Sequence, residues 1–410
     1  MQYIPRAISK VLKNRLENSK VVMLKGARQV GKSTLLSHEL DGFSTVTFDN
    51  REERRMAKEE PGLFFLNNKP PLVIDEVQKQ TDVLEEIKLR VDESDEKGQY
   101  VLTGSSSIEL AKGASESLAG RASVLDLGCL SMREIFGVKF NESFIPSQDY
   151  FEKREQHLID YSDVFDVIFQ GCYPEMHSSN RDWEDFYSSY VNTYIERDIN
   201  EQITTDSVTF SKFMTVVAAR TGEMLNYANI SREVEVSLPT VKSWISILER
   251  CGIVHLLQPF SSSAIKRAVK TPKIYFSDTG LACYLAGWTQ KSALERSAVA
   301  GNMFETFVVS EIVKSFSNAG MRNKNRLFYY RGKDKSSAKE NEIDLVIDIN
   351  GQLFPIEIKM TCNPTSKMAS ANTVLNKVGD KEVQTGVILC LCDKLKFLSE
   401  NVLAVPLRYL

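Results

Sequence analysis

The sequence predicts an α/β protein, with a mostly parallel sheet first, a helical segment in the middle and a second α/β domain last. Three observations carry that prediction. Short apolar runs at Val21–Leu24, Thr45–Phe48, Leu72–Ile74 and Tyr100–Thr103 alternate with helix-like stretches, the pattern of a parallel sheet covered by helices. The first run leads into a glycine-bounded loop, Gly26 to Ser33. Far downstream, NEIDLVIDINGQLFPIEIKM, from Asn341 to Met360, reads as two strands around a turn at Asn350–Gly351.

Composition bounds what such a chain can be. It has 410 residues, 42% hydrophobic and 26% charged, a globular balance with room for two or three domains. Net charge is -3, so any nucleic-acid contact has to come from a local patch. The seven cysteines, Cys129, Cys172, Cys251, Cys283, Cys362, Cys390 and Cys392, are odd in number and lack metal-site spacing. That usage predicts a reducing, cytoplasmic setting without disulfides, with Cys390 and Cys392 as strand filler. The opening MQYIPRAISKVLKN has no apolar signal core, and no run approaches the ~18 apolar residues of a membrane span, so no membrane contact is expected.

SKVVMLKGARQVGKSTLLSHEL reads as strand, loop, helix. Gly26, Ala27, Arg28, Gln29, Val30, Gly31, Lys32 and Ser33 fit the phosphate-loop pattern of two glycines followed by Lys and Ser, and Thr34 comes next on the same anion. The glycines let backbone N–H groups curl around phosphate oxygens, and the helix offers its positive end to them. Lys32 would reach the β- and γ-phosphates and Ser33 would ligate magnesium. In KPPLVIDEVQK an apolar strand ends in Asp75 and Glu76. Asp75 fits a magnesium acid, and Glu76 fits the base that orients the attacking water. A glutamate directly after the magnesium acid favours ATP hydrolysis over a GTPase switch. ATP and Mg2+ are the expected cofactors.

Three further positions complete this domain with their alternatives open. In QYVLTGSSS, Thr103 or Ser105 senses the γ-phosphate, or the stretch is a capped turn before a helix at Ile108–Leu110. Arg121 is either an arginine finger or a surface arginine; a finger acts within the chain or on a neighbour, the latter implying a homo-oligomer. Arg28 faces phosphate or an acidic neighbour. Asp49 closes the STVTFDN strand, and the mixed charges of Arg51–Glu60 read as a solvated helix.

GARQVGKSTLL, LVIDEVQ, LTGSSS and LAGRA resemble the bacterial and archaeal AAA-type ATPases that carry a C-terminal domain of unknown function, DUF4143. The likeness covers nearly the whole chain. Its first two motifs are specific for P-loop ATPases in general, and the last two single out this family. The resemblance implies a P-loop ATPase sheet with the ATP site at the carboxyl ends of the strands.

A polar, aromatic stretch from about Asn141 to Ser162 reads as a boundary. WEDFYSSYVNTYIERDINEQ reads as a long helix with Phe186, Tyr190, Val191 and Tyr194 at helical spacing. YIERDI resembles a signature of the same family, and Arg197 with Asp198 either reaches toward the ATP site or, the favoured reading, forms a structural ion pair. Residues 206–262 read as a winged helix-turn-helix, with Ser237 capping a helix whose apolar stripe is Val241, Trp244, Ile245 and Leu248. IVHLLQPF is its wing, with His255 in the core or at the rim. Lys242, Ser243, Ser246, Glu249 and Arg250 are a thin, mixed-sign set for reading bases, so packing against protein is the favoured role.

In the last segment, Asp278 caps a helix and Glu305 opens another whose buried side is Phe304, Phe307, Val308 and Ile312. In the hairpin, Glu357 and Lys359 share a face, and Asp344 lies across from them. Helix with Glu, strand with Asp, strand with Glu-x-Lys resembles the restriction-endonuclease-like α/β core. That likeness implies that Asp344 and Glu357 hold metal with Glu305 assisting, and that Lys359 positions a water or stabilises its hydroxide. Glu342 shares the Asp344 face. Lys266, Arg267, Lys270, Lys273, Arg331, Lys333 and Lys335 form a phosphate track or serve only loop solubility.

The expected organisation is an ATPase domain at 1–138, a linker and helical segment at 139–205, the winged helix at 206–262 and the nuclease-like domain at 263–410. The expected function is Mg-ATP hydrolysis coupled to a C-terminal domain acting on DNA or a protein partner. The alternative is a nucleotide-controlled switch or adaptor whose C-terminal domain binds without cleaving.

Overall fold

The computed structural model describes residues 2–104, 118–194, 207–261, 271–333, 340–377 and 381–410. The first sheet holds β1 (Val21–Lys25), β2 (Ser44–Thr47), β3 (Leu72–Asp75), β4 (Tyr100–Gly104) and β5 (Ala122–Asp126). Their order is β2-β3-β4-β1-β5, and every neighbouring pair is parallel. The alternation in β1 explains the layering. Val22 and Leu24 enter the core on one face, Val21 and Met23 the core on the other, as a parallel strand covered on both sides requires. β5 is an edge strand in which only Leu125 is buried. It carries no apolar run, which is why the sequence reading contains four strands and not five.

The middle of the chain is helical. The Trp183–Tyr190 helix buries Phe186, Tyr187 and Tyr190, and the chain then widens into a looser turn over residues 191–194. Arg197 and Asp198 lie outside the described residues, as do Ser105 and the stretch from Ile108 to Leu110. Three helices follow, at Ser207–Ala218, Tyr227–Val234 and Leu238–Arg250. The last begins with the Ser237 hydroxyl accepting the Thr240 N–H at 3.2 Å, with proline in its first turn. It buries Val241, Trp244, Ile245 and Leu248 and leaves Lys242, Ser243 and Arg250 exposed.

The second sheet is mixed. It contains β6 (Val254–Pro259), β7 (Lys273–Phe276), β8 (Leu327–Lys333), β9 (Glu340–Ile349), β10 (Gln352–Lys359), β11 (Glu382–Val383), β12 (Gly386–Cys390), β13 (Lys396–Ser399) and β14 (Val402–Pro406). The order is β13-β14-β12-β10-β9-β8-β6-β7, with β11 beside β10. β8, β9 and β10 form an antiparallel meander, while β10, β12 and β14 run parallel. β6 pairs antiparallel with β7 and parallel with β8. The strand expected as a wing is thus stitched into the C-terminal sheet, and the expected 262/263 boundary falls between two paired strands. One apolar core runs from β1 through Trp244 and the Ala300–Asn318 helix to β12 and β14. Among the described residues no helix is long and apolar enough to cross a membrane.

Candidate functional site

The loop after β1 is shaped by its two glycines. A Cβ on Gly26 would stand 2.3 Å from the Leu127 carbonyl oxygen, so only glycine lets the loop lie against the end of β5. Gly31 has φ +90°, the left-handed geometry that turns the chain into the Lys32–Glu39 helix. The Lys32 ammonium is buried and donates to the Gly26 and Ala27 carbonyls at 3.0 and 2.9 Å. Burial pulls it below the ordinary lysine value, and Glu76 and Asp75 oppose that shift.

Asp75 ends β3 and is the meeting point of the site. The Ser33 hydroxyl donates to one carboxylate oxygen at 3.0 Å, and the Thr103 hydroxyl, from β4, donates to the other. Glu76 follows with φ 56° and ψ 41°, and the Gln78 amide donates to its carboxylate. A left-handed conformation at a residue other than glycine costs about 1 kcal/mol. Such strain is typical where a side chain must be aimed. The Ser33 hydroxyl and the Asp75 carboxylate form a hard oxygen pair that suits magnesium.

The loop is also held from outside, by residues the sequence reading missed. Arg6 is buried and donates to the Val30 carbonyl at 2.7 Å and the Gly128 carbonyl at 2.8 Å, and it pairs with the buried Glu134 at 2.9 Å. Nothing around YIPRAIS signals this, because all its partners are distant in sequence. Arg28 lies 5.2 Å above the Tyr194 ring, so an aromatic face is one of its neighbours. The end of the Leu238–Arg250 helix reaches the same loop: a Cβ on Gly252 would lie 3.6 Å from Ala27. A cavity of about 450 Å3 remains between the loop, the β6–β7 hairpin and the Ala300–Asn318 helix, with the half-buried His255 in its wall.

Arg121 stands elsewhere. It precedes β5, whose first residue pairs with Val21, so it lies at the amino ends of the strands while Lys32 lies past their carboxyl ends. Its guanidinium grips Asp92 through two bonds of 2.6 and 2.8 Å. The strand between the two ends is five residues long, about 13 Å or more. That corrects the within-chain finger and leaves the neighbour or the surface role.

The C-terminal acids do gather. The Asn350–Gly351 turn has φ values of 52° and 82°, the left-handed pair of a tight hairpin. Its register pairs Ile356 with Leu345, which puts the next residues, Glu357 and Asp344, level with each other. Lys359 bonds Asp344 at 2.6 Å and Glu357 at 2.8 Å, and the Ile358 N–H donates to Asp344 at 2.9 Å. Burial and the Asp344 charge push Glu357 up to about 8. Asp344 feels the same burial, but Lys359 and Lys273 hold it below the ordinary aspartate value.

Lys273 corrects an expectation. It is a buried residue on β7, not part of a surface track, and it bonds Glu305 at 3.1 Å and Glu342 at 2.7 Å. The Tyr275 hydroxyl also donates to Glu305, at 2.7 Å. Lys273 and Tyr275 are two apart on one strand and share a face, a signal visible in KIYF. Burial and Asp344 raise Glu305 above the ordinary glutamate value. The cluster therefore joins Glu305, Asp344, Glu357, Lys273 and Lys359. Among the described residues no three His, Cys, Asp or Glu side chains converge to hold a metal, so the expected ligands Asp344 and Glu357 do not close a three-carboxylate set with Glu305. Of the remaining track, Lys266, Arg267, Lys270 and Lys335 lie outside the described residues, as does the Lys333 side chain. Arg331 is half-buried beside Met224.

An all-parallel sheet with a phosphate loop after β1 and an acid ending β3 defines the class: a P-loop ATPase. Comparison with known proteins gives the particular kind. Residues 18–136 match the AAA domain family, residues 161–292 the domain of unknown function DUF8612, and residues 300–410 the domain of unknown function DUF4143. The chain thus carries an AAA-type P-loop ATPase fold followed at its end by a DUF4143 domain. It is similar to uncharacterized proteins of Mycobacterium tuberculosis and Mycobacterium bovis, each 26% identical over 400 residues, covering 96% of this chain and 82% of the relative. Among solved structures it is similar to the Walker-type ATPase PABY2304 of Pyrococcus abyssi, at 14% identity and a TM-score of 0.42 over 68% of this chain and 94% of that one. The Thermotoga maritima RuvB Holliday junction branch migration motor aligns at 14% identity and a TM-score of 0.29, over 60% of this chain and 88% of that one.

Proposed function

We propose that this chain binds Mg-ATP on Gly26–Thr34, hydrolyses it with Asp75 and Glu76, and uses turnover to drive its C-terminal domain on DNA or a protein partner. The observation that carries the reading is Asp75, bonded on one side to Ser33 of the loop and on the other to Thr103 of β4. Magnesium, when bound, would neutralise charge between the β- and γ-phosphates. Ser33 and Asp75 would hold it, Lys32 would swing from the loop carbonyls to phosphate oxygen, and Glu76 would orient water. Thr103 would report whether the γ-phosphate is present. Arg121 would act only on a neighbouring copy, which makes a homo-oligomer part of this reading.

The Ala300–Asn318 helix is the physical link between the two sites. Near its start Glu305 joins the acid–lysine cluster. Farther along, Glu311 accepts the Met132 N–H at 2.8 Å, Lys314 donates to the Leu130 carbonyl at 2.9 Å, and Ser315 accepts the Phe144 N–H at 3.0 Å. A shift in the segment after β5 would move the helix and the cluster together. The three helices before β6 act in this reading as a winged-helix module packed on the phosphate loop. The last sheet acts as a restriction-endonuclease-like fold, supported by Glu305, Asp344, Glu357 and Lys359 in one cluster.

ATP turnover tests the first half. Glu76→Gln should keep ATP binding and lose hydrolysis by roughly 10²–10⁴-fold, while Lys32→Ala should lose both. Turnover at the parental rate in Glu76→Gln would remove the assignment. Cleavage of supercoiled and linear DNA with Mg or Mn, with and without ATP, tests the second half, with Lys359→Ala beside the parent. A second reading, a nucleotide-controlled switch with a non-cleaving C-terminal domain, is favoured by one observation. Lys359 and Lys273 already neutralise the buried carboxylates. Measurable ATP turnover without cleavage in any lane would select it.

A further inference from the structure

A groove of about 490 Å3 runs along edge strand β5 at the end of the first sheet opposite the phosphate loop. Among the described residues five cations line it, Arg15, Lys20, Lys97, Arg121 and Arg322, and no acid does. They come from the Ser9–Asn18 helix, the turns before β1, β4 and β5, and the turn after the Ala300–Asn318 helix, so folding assembles the set from distant parts of the chain. Two are partly neutralised from outside the lining: Arg121 by Asp92, and Lys20 by Asp95 at 3.4 Å. Asp126 feels the Arg322 charge but also lies outside the lining. Among the described residues Arg15, Lys97 and Arg322 have no ion pair. In a chain of net charge -3 this concentration of positive charge is local and one-sided.

We propose that this groove binds the sugar–phosphate backbone of a nucleic acid without reading its bases. The chemistry selects the occupant. Arginine forks and lysine ammonium groups in a concave, acid-free wall match successive phosphates. Among the described residues the lining contains no aromatic ring to stack a base, and its apolar side chains are Ala122 and Val124. Recognition would therefore be electrostatic and independent of sequence. The inference goes beyond the function proposed above, because it requires neither ATP turnover nor cleavage.

The test is binding of a fluorescein-labelled duplex to the full chain across a salt series, for the parent and for Arg15→Gln/Lys97→Gln/Arg322→Gln. Arg121 stays intact because it carries a candidate role at the ATP site. Three lost phosphate contacts at about 0.9 each should lower the log–log salt slope by about 2.7 and weaken binding roughly 500-fold at 0.1 M salt. ATP turnover without DNA and the melting temperature should match the parent, which separates this outcome from failure of the ATPase reading. If the triple variant melts early, Lys97→Gln and Arg322→Gln, both at exposed positions, are measured singly, each expected to lower the slope by about 0.9. An unchanged slope, or no duplex binding by the parent, would overturn the proposal. So would displacement of the duplex from the triple variant and the parent by equal tripolyphosphate at matched ionic strength, since the duplex would then be held somewhere else.

Discussion

Replacing Lys273 by methionine tests how the C-terminal cluster is held together. Lys273 is buried and, with Lys359, supplies positive charge among Glu305, Asp344 and Glu357, with Glu342 at the rim. Methionine keeps much of the volume but leaves Glu305, among the described residues, with the Tyr275 hydroxyl as partner. Removing one member of a buried ion pair costs about 3–5 kcal/mol, because the other charge stays desolvated. Unfolding entropy of about 2.1 cal/mol/K per residue over 410 residues is about 0.86 kcal/mol/K. A loss of about 4 kcal/mol then lowers the melting temperature by about 5 °C if the chain melts as one unit. The pH dependence fixes the mechanism. Without Lys273 the folded-state pKa of Glu305 rises further above its unfolded value, so the folded state holds the proton more tightly. The stability deficit is therefore small near pH 5, grows as pH rises through the folded pKa, and is flat above it. Thermal melts of Lys273→Met and Lys273→Met/Glu305→Gln at pH 5 and pH 8 check this. Equal deficits at both pH values, or no recovery in the double variant, would refute the reasoning.

Other outcomes follow from the same structure. Arg6→Met should weaken ATP binding and destabilise the chain by about 3–5 kcal/mol through the unpaired Glu134, with Arg6→Met/Glu134→Gln recovering stability but not ATP affinity; melting and nucleotide titration separate the two effects. Gly26→Ala should lose most ATP binding, because its Cβ meets the Leu127 carbonyl oxygen at 2.3 Å, and fluorescent-nucleotide binding reports it. Glu357 has a folded pKa of about 8 against an unfolded value near 4.3, so its contribution to stability falls as pH rises from about 4.3 to about 8. Glu357→Gln should flatten that part of the melting-temperature profile, and an unchanged profile would show that Glu357 is ionised throughout.

The phosphate loop was legible because its constraints are local. Two glycines, a lysine and a serine act within a few residues, and the strands on either side advertise themselves as apolar runs. The C-terminal hairpin was legible for a similar reason: alternation puts Glu357 and Lys359 on one face, and the Asn350–Gly351 turn sets the register to Asp344. What stayed hidden depends on contacts between distant segments. Lys273 sits among acids only because β7 pairs with β6 and β6 lies beside β8. In the sequence it looks like one more surface lysine in a basic stretch. Arg6 supports the loop from a position before β1, through carbonyl groups that no side-chain pattern records. Arg121 shows the reverse. Its closeness in sequence to β4 suggested closeness to the nucleotide, yet the crossover to β5 carries it to the other end of the sheet.

The pairing of β6 with β8 also constrains how such chains can be cut and recombined. A fragment beginning after residue 262 would lose β6 and leave β7 with no strand partner and β8 with an open edge. An exposed edge of that kind invites pairing with another chain. A fragment ending near residue 292 would keep β6 and β7 but remove the sheet that receives them. Exchange of modules between related chains should therefore succeed at breakpoints ahead of the helix that leads into β6, and fail between β6 and β8. The C-terminal sheet then travels with the helices before it as one heritable piece.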